Sequence, residues 1–561
     1  MTMKKYIFAT FAILAALVLP SCSQGLLEVE QKGVKETESF YANASDEDAE
    51  SLIIPIYRTL WTGVYGTALY ICLTTEDGDH LCGGGSYSDG GTLRYNYYNC
   101  ASPANGYHTS LYTQIYRAIY WSNMIVEKLN NGENSAVKNR IIAEAKFARA
   151  LSLMMGIQVF GTPPFVPTTD TENPSNGDPA EMWKWIQDNF EEAAAVLPSK
   201  SGKGGQEAIG GRATKEAALA YLGKAQLLAG DYASASTTLQ KVKASNLYEL
   251  IPDFRELSHA SSDFCSEYVF EYNNYNDPTT YSTQADLRDI YLHLRSSFIN
   301  IASDGWATGW GFAPPSKEFV DFMKEHDAVG EGYSNRFNGS IISYRDYEMK
   351  AGANGLAVSP FIDNVGWLGI KSYFWSADKI DGSEAGHPRN ARHHKNWVFL
   401  RYAEVLLDLA EAEAKQGKTS GVGLDALNEV RDRAGLTGLG ALSMDAVKDE
   451  RRAELWGENA DRLFGLIRWG DAATVLKDVG KYRYEFYAET RSTETDEDTD
   501  YPVFSSADAG KASGRKNYIV KYLDPVYGST AGFKAGKNEV WPFPESEVLV
   551  NPNLNQNPNW E

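Results

Sequence analysis

Three stretches concentrate aromatic side chains among glycines and polar residues. Residues 62–110 carry Tyr65, Tyr70, Tyr87, Tyr95, Tyr97, Tyr98 and Tyr107. Residues 272–312 carry Tyr272, Tyr275, Tyr281, Tyr291, Trp306, Trp310 and Phe312, and residues 365–375 add Trp367, Tyr373, Phe374 and Trp375. Over the whole chain 33 Tyr and 13 Trp stand against 23 Phe, so rings with a polar edge dominate. Such rings suit wet surfaces on which something stacks. Asp304-Gly305-Trp306 and Gly309-Trp310-Gly311 favour display of both indoles on a loop. Tyr95 and Tyr97 alternate as along a strand and share one face, which faces either ligand or core. The candidates for stacking are Trp306, Trp310, Tyr95, Tyr97 and Trp375, with Asp77, His80, Asn96 and Arg288 as polar partners.

Other chemistry finds less support. Glu76-Asp77-Gly78-Asp79 clusters oxygens that suit calcium, but no downstream ligand spacing completes a calcium loop, so an acidic turn is the expectation and no metal is assigned. Cys72, Cys82, Cys100 and Cys265 have no CxxC pair or His/Cys spacing of a zinc site. Disulfides among them and free thiols both remain open. There is no G-x-S-x-G elbow, HExxH helix, P-loop or G-x-G-x-x-G fingerprint, and no cofactor is called for. A glycosidase needs only two suitably spaced carboxylates, which 74 acidic residues neither show nor exclude.

The elements that must carry these residues read as mainly α-helical. The chain has 561 residues, 43% hydrophobic, within the globular range. Apolar residues recur at threes and fours over 46–61, 111–129, 137–160 and 183–197, which predicts amphipathic helices. Gly161 with Pro163 and Pro164 ends the third. Residues 214–228 and 232–242, joined by Gly230-Asp231, predict a helical hairpin of tetratricopeptide type. Gly223 and Ala235 sit where its helices approach closely, and Leu239 and Val242 follow as packing residues. A second hairpin is predicted over 399–417 and 424–434. The repeats are not in tandem, so a curved scaffold bearing long insertions is expected rather than an extended solenoid. Segments as long as these insertions, without structure of their own, are usually functional.

The N-terminus is an address. Lys4 and Lys5 precede the uncharged run Tyr6 to Leu19, which is too short to span a bilayer but right for a secretory signal. The run ends Leu19-Pro20-Ser21-Cys22 and resembles a bacterial lipoprotein signal, with Cys22 as the lipidated first residue. Residues 1–21 are therefore read as signal peptide, 22–45 as tether and 46–561 as one domain. A formal net charge of −21 argues against nucleic acid and against attachment to anionic lipid by a basic face, leaving the lipid anchor as the membrane contact.

Several stretches form a series of motifs. They are Glu144-Ala145-Lys146-Phe147-Ala148-Arg149-Ala150 with Phe160-Gly161-Thr162-Pro163, then Gly211-Arg212-Ala213-Thr214-Lys215-Glu216-Ala217-Ala218. Next come Arg401-Tyr402-Ala403-Glu404-Val405-Leu406-Leu407 and Asn428-Glu429-Val430-Arg431-Asp432-Arg433-Ala434-Gly435. The block from Glu450-Arg451-Arg452-Ala453-Glu454-Leu455 to Asp461-Arg462-Leu463-Phe464-Gly465-Leu466-Ile467-Arg468-Trp469-Gly470 follows. The tail Trp541-Pro542-Phe543-Pro544-Glu545 with Asn551 to Pro558 closes the series. In this order the stretches resemble one family, the SusD/RagB nutrient-binding lipoproteins. Asn459-Ala460 stands where a glycine-containing run is commoner, Trp560-Glu561 replaces the usual Gly-Tyr close, and the acidic cluster that often follows the lipidated cysteine is weak here. The 450–470 residues themselves read as structural: Glu450, Arg451, Arg452 and Glu454 lie at spacings that pair along a helix surface, and Arg468, Trp469, Asp461 and Arg462 read as a packed junction.

The resemblance implies a SusD-like fold with tetratricopeptide-like hairpins. It also implies a non-catalytic outer-membrane lipoprotein that hands oligosaccharide, or in some relatives peptide, to a SusC-like TonB-dependent transporter. The aromatic insertions fit a sugar ligand, whose C–H face stacks on Trp or Tyr while its hydroxyls pair with polar side chains. In that reading the repeat helices dock the transporter and ligand binds the opposite, loop-bearing face. A peptide-binding scaffold using the repeat groove and a surface glycoside hydrolase are the alternatives.

Overall fold

The computed structural model describes residues 37–66, 73–83, 106–129, 134–201, 210–274, 311–346, 360–371, 375, 378, 394–488, 501–513, 517–525 and 528–560. Cys22, Tyr95, Asn96, Tyr97, Arg288, Trp306 and Trp310 lie outside the described residues.

The helices begin where side chains cap them. α1 (Thr37–Ala42) is followed by α2 (Asp46–Thr59), whose N-cap Ser45 and Asp48 form a reciprocal capping box. α2 continues into a π-helical turn, Leu60–Val64. α3 (Gly106–Lys128) and α4 (Ala136–Phe160) follow, the latter capped by Ser135. α4 stops at Gly161, at φ 70°, whose N–H closes on the Ile157 carbonyl. α5 (Pro179–Val196) starts on Asp178 with Pro179 in its first turn. α6 (Lys215–Leu228) starts on Thr214, and α7 (Tyr232–Ala244) on Asp231.

The α6–α7 hairpin closes as its small residues require. A Cβ on Gly223 would stand 2.6 Å from Leu239 Cδ2, while Ala235, Leu239 and Val242 are buried. The chain then forms β1 (Tyr268–Tyr272) and makes a long excursion, returning in β5 (Trp397–Arg401), which pairs antiparallel with β1. Phe399 to Arg401 are therefore strand, not the start of a helix. α10 (Tyr402–Lys415) and α11 (Val422–Arg433) follow, then α12 (Met444–Glu454) and α13 (Asp461–Trp469). In space α3 packs on α4, α4 on α5, α5 on α6, α6 on α7, and α7 on α10, which carries α11 and α12. The two hairpins, separated in sequence, are neighbours in one continuous row.

The excursion is not all loop. It contains α8 (Lys317–His326), α9 (Asn335–Ser340), β2 (Ile341–Ser343), β3 (Phe361–Ile362) and β4 (Trp367–Gly369), with β2 and β4 paired antiparallel. With β6 (Tyr482–Ala488), β7 (Val503–Ser505) and β8 (Asn517–Leu523) it builds a four-stranded sheet in the order β3-β6-β8-β7. Under that sheet lies a second apolar core including Leu81, Phe319, Phe337, Trp367, Trp456, Phe486 and Ile519. Trp367 is thus core rather than display, as is Tyr65 in the first core along the helical row.

Family motifs far apart in sequence meet through buried charge. Glu144, fully buried, accepts from Arg212 Nη1 at 2.6 Å and also pairs with Arg140. Arg149 donates to Asn189 and Asn123 and lies 4.7 Å over the Trp185 ring. The 450–470 block does not pair along a helix surface. Glu450, Arg451 and Glu454 are buried and reach other elements: Arg451 binds Asp408 and Asp461 at 2.5 Å, and Glu450 binds Arg336 and Arg431. Arg468 and Trp469 both donate to Glu411 of α10, so their junction is built with that helix rather than with Asp461 and Arg462, which pair with Arg451 and Asp79. In the tail, Asn557 donates to the carbonyls of Phe160 and Trp541, tying the C-terminus to the end of α4.

Candidate functional site

The aromatic insertions leave the frame at a small number of points, and these points converge. At the first, residues 79–83 run beside 311–316 through antiparallel bridges His80↔Pro315 and Gly83↔Phe312. Leu81 N–H donates to the Pro314 carbonyl at 2.8 Å, and Ser316 N–H to the Asp79 carbonyl at 2.8 Å. Gly83 sits at φ 62°, and a Cβ there would stand 2.5 Å from the Gly311 carbonyl oxygen, so only glycine permits this approach. Residues 79–83 of the first insertion are thereby fastened to the end of the second.

This arrangement corrects two of the site expectations. Asp77 and His80 are 2% and 3% exposed, so neither stands at a wet surface as a ligand partner. Asp77 accepts from the Asp79 N–H and faces His80 Nδ1 at 2.9 Å, and the His80 ring stacks on Trp456 with 4.6 Å between centroids. Asp79 takes Arg452 in three hydrogen bonds, at 3.1, 3.0 and 2.5 Å, and lies 3.3 Å from Arg462. Burial alone would raise the Asp79 carboxyl, but the two arginines outweigh it and hold it below the ordinary carboxylate range. Burial pushes the Asp77 carboxyl up, against the pull of His80. Both aspartates of the acidic turn are thus committed to neighbouring side chains. Among the described residues no group of three or more His, Cys, Asp or Glu is placed to hold a metal.

At the second point the whole excursion leaves and returns side by side, because Tyr272 and Trp397 are the last partners of the β1–β5 ladder. Just beyond it, Asn274 N–H donates to Asn396 Oδ1 at 2.7 Å, and Asn274 Nδ2 to the Lys395 carbonyl at 2.9 Å. The turn Trp456–Ala460 bridges the two points. Its Trp456 carries His80, while Gly457, Glu458 and Asn459 line a solvent-open cavity of about 80 Å³ together with Leu257, Lys371, Asn396, Trp397 and Arg401. Lys371, within the third insertion, pairs with Glu458 and donates to the carbonyls of Glu454 and Trp456. Burial brings its ammonium down to about 8 although Glu458 opposes the fall.

Trp375 stands beside this cavity on the segment that supplies Leu257. Its indole N–H donates to Ser258 Oγ at 3.0 Å, its ring stacks on His259 at 4.6 Å, and the Arg255 guanidinium lies 5.3 Å from the ring centre. The ring is half-buried and rigidly oriented, and His259 is further held 3.6 Å from Asp378. Asp263, behind the same segment, accepts from the Asn396 backbone N–H at 3.0 Å, and burial pushes its carboxyl up to about 7 against that hydrogen bond. Of the candidate residues, then, the structure sets Trp375 on this face and takes Asp77 and His80 into the interior beneath it. Asn274, Lys371, Asn396 and Trp397 were missed. Asn274 and Asn396 flank strands with no spacing that marks them, and only their pairing across 122 residues brings them together.

Comparison with known proteins places this architecture. Residues 344–560 match a family model described as the SusD family, and residues 72–227 match one described as starch-binding and associating with the outer membrane. The two matches do not overlap and between them span more than half of the chain. A SusD-like protein P2 of Formosa agariphila is 25% identical over 493 residues, covering 84% of this chain and 90% of its own. A solved laminarin-binding SusD-like protein superposes with a TM-score of 0.70 at 24% identity, covering 91% of this chain and 99% of its own. A surface glycan-binding protein A from Bacteroides uniformis gives 0.69 at 22% identity, covering 91% and 99%. With its row of tetratricopeptide-like helices, its second lobe and its motifs in order from residue 72 to residue 560, the chain belongs to the SusD/RagB family.

Proposed function

We propose that the protein is a non-catalytic, lipid-anchored lipoprotein of the outer membrane that captures oligosaccharide at the cell surface and delivers it to a SusC-like TonB-dependent transporter. The observation that carries this reading is the convergence of the insertion ends on one face, where the oriented indole of Trp375 stands beside a solvent-open cavity. The insertions that leave this face hold Trp306, Trp310, Tyr95 and Tyr97, the rings best suited to stack on sugar, with Asn96 and Arg288 as polar partners. The structural neighbours named for laminarin and surface glycan binding support a glycan as the ligand class.

Attachment runs through Cys22. Among the described residues no helix is long and apolar enough to cross a membrane. The helical row is the surface offered to the transporter. Binding is weak per contact, because most sugar hydroxyl bonds replace bonds to water, and this suits capture followed by release. Affinity electrophoresis in gels containing laminarin or starch tests the assignment. The wild type is retarded by one of them, and the Trp306→Ala/Trp310→Ala double variant and Trp375→Ala each lose retardation at unchanged melting temperature. Retention of full retardation by a variant removes those residues from the site.

A further inference from the structure

A short hairpin in the second lobe is held more firmly than its own packing explains. Ala328–Val329 pairs with Gly332–Tyr333, and Gly330, at φ 59°, makes the two-residue turn. All six residues from 328 to 333 are exposed, and none belongs to either apolar core. The base, by contrast, is clasped by buried charge. Ser334 donates its N–H to the Asp327 carbonyl at 2.8 Å and its hydroxyl to Asp327 Oδ2 at 2.5 Å. Arg336, wholly buried, donates to the two Asp327 oxygens at 3.0 and 2.7 Å and to Glu450 at 2.6 Å. The hairpin is thus rooted in the network that joins the two lobes.

What the hairpin carries is a ring. Tyr333 is 38% exposed and lies on Phe337, with centroids 4.1 Å apart and planes within 15°. Phe337 is buried and meets Trp367 edge-on at 5.8 Å, so the stack stands on the second apolar core. The cross-strand partner of Tyr333 is Ala328, whose methyl is small beside the ring. The polar groups nearby are acceptors. Glu331 is exposed, and Asn338, also exposed, commits its Nδ2 to the carbonyls of Tyr333 and Ser334, so its remaining polar atom is an accepting oxygen. Arg336, the one cation within residues 328–340, is buried. A sugar ring offers both complements, a C–H face for the phenol and hydroxyl donors for the acceptors. A rim of acceptors without an exposed cation disfavours uronate and sulfate groups, which leaves an uncharged sugar.

We infer that Tyr333 is a stacking subsite for a neutral hexose polymer, its ring taking one sugar unit while Glu331 and Asn338 accept from the hydroxyls of that unit. This rests on the glycan-binding reading and adds to it a contact on the second lobe and the charge of the ligand. The subsite is rigidly coupled to Trp375. α9 follows the hairpin and presses on the turn Phe254–Ser258, where a Cβ on Gly339 would stand 2.9 Å from Phe254 Cδ1 and Asn335 donates to the Pro252 carbonyl. That turn supplies Ser258, the acceptor of the Trp375 indole N–H. Two rings on one rigid frame favour a ligand long enough to meet both.

Calorimetric titration and gel retardation of the full chain with laminarin and starch test the subsite. Tyr333→Ala should weaken binding of the retained glucan about three- to tenfold at unchanged melting temperature. Tyr333→Phe and Tyr333→Trp stay close to wild type, whereas Tyr333→Leu, apolar but without a ring face, loses as much as Tyr333→Ala. With the glucan bound, amides of residues 328–334 gain protection from hydrogen exchange. Equal glucan affinity in wild type and Tyr333→Ala, or wild-type affinity in Tyr333→Leu, overturns the inference. Tyr333-dependent binding of polygalacturonate or of tetralysine in place of glucan also overturns it, the first against the charge argument, the second in favour of a basic protein partner. A wild type retarded by no neutral polysaccharide in a panel overturns the functional reading itself, an outcome read from the wild type alone.

Discussion

Replacing Glu454 by glutamine should unfold much of what joins the two lobes. Glu454 is fully buried and is shared by Arg336 at 3.1 Å, Arg401 at 3.0 Å and Arg433. Around it five carboxylates (Asp327, Glu267, Glu450, Glu454, Glu458) meet five cations (Arg336, Arg401, Arg431, Arg433, Lys371), so the network is neutral as built. Burial alone would raise the Glu454 carboxyl, but Arg433, Arg401 and Arg336 hold it far below the ordinary range. Glu454→Gln keeps the shape and leaves one positive charge unbalanced in a dry interior. Removing one partner of such a pair costs about 3–5 kcal/mol, a large share of the roughly 5–15 kcal/mol that keeps a typical protein folded. Urea unfolding followed by tryptophan fluorescence reads the loss. Arg433→Met, made in the Glu454→Gln background, restores neutrality and should cost much less there than in the wild type. The sign with pH follows from the depressed carboxyl: its stabilisation is present above about pH 4.5 and is lost as pH falls through the folded value, so the variant has a flatter acid limb. A variant within about 1 kcal/mol of wild type, or an equal cost of Arg433→Met in both backgrounds, would refute the reasoning.

Other expectations follow from single contacts. Gly223→Ala drives a methyl to 2.6 Å from Leu239 and should cost about 1–3 kcal/mol in urea unfolding, with no change in ligand affinity. Asp263→Asn should stabilise the protein above neutrality. The folded carboxyl holds its proton up to about pH 7 while the unfolded one releases it near 3.8, so wild-type stability falls across that window. The variant gains up to about 4 kcal/mol above pH 7 and nothing below pH 4, read from unfolding at both pH values. A gain independent of pH would contradict the burial argument.

The helical row was legible because its signals are local. The spans 137–160, 214–228 and 232–242 fall on α4, α6 and α7, and Gly161 ends α4 where its flanking prolines place the stop. The second lobe was not legible. Its apolar residues fall in strands of two to seven residues, such as Phe361–Ile362 and Trp367–Gly369, too short for periodicity to register. Trp397–Arg401 read as helix because Phe399 and Leu400 adjoin a strongly helical run, and only pairing with β1 makes them strand. The charged face of α12 read as surface because its partners Arg336 and Asp79 come from distant segments. Asp77 and His80 read as ligand groups for the same reason: a polar turn in sequence gives no sign that Trp456 and two arginines will close over it.

Hydrogen exchange with and without a saturating glycan that the protein retains tests the central assignment most directly. The account predicts protection in peptides spanning 254–263, 311–316, 371–378 and 394–398, at the ends of the insertions, with the outer surfaces of α4 to α7 unchanged. Protection confined to α4–α7, with none at those four segments, would place the ligand in the repeat groove and contradict the account.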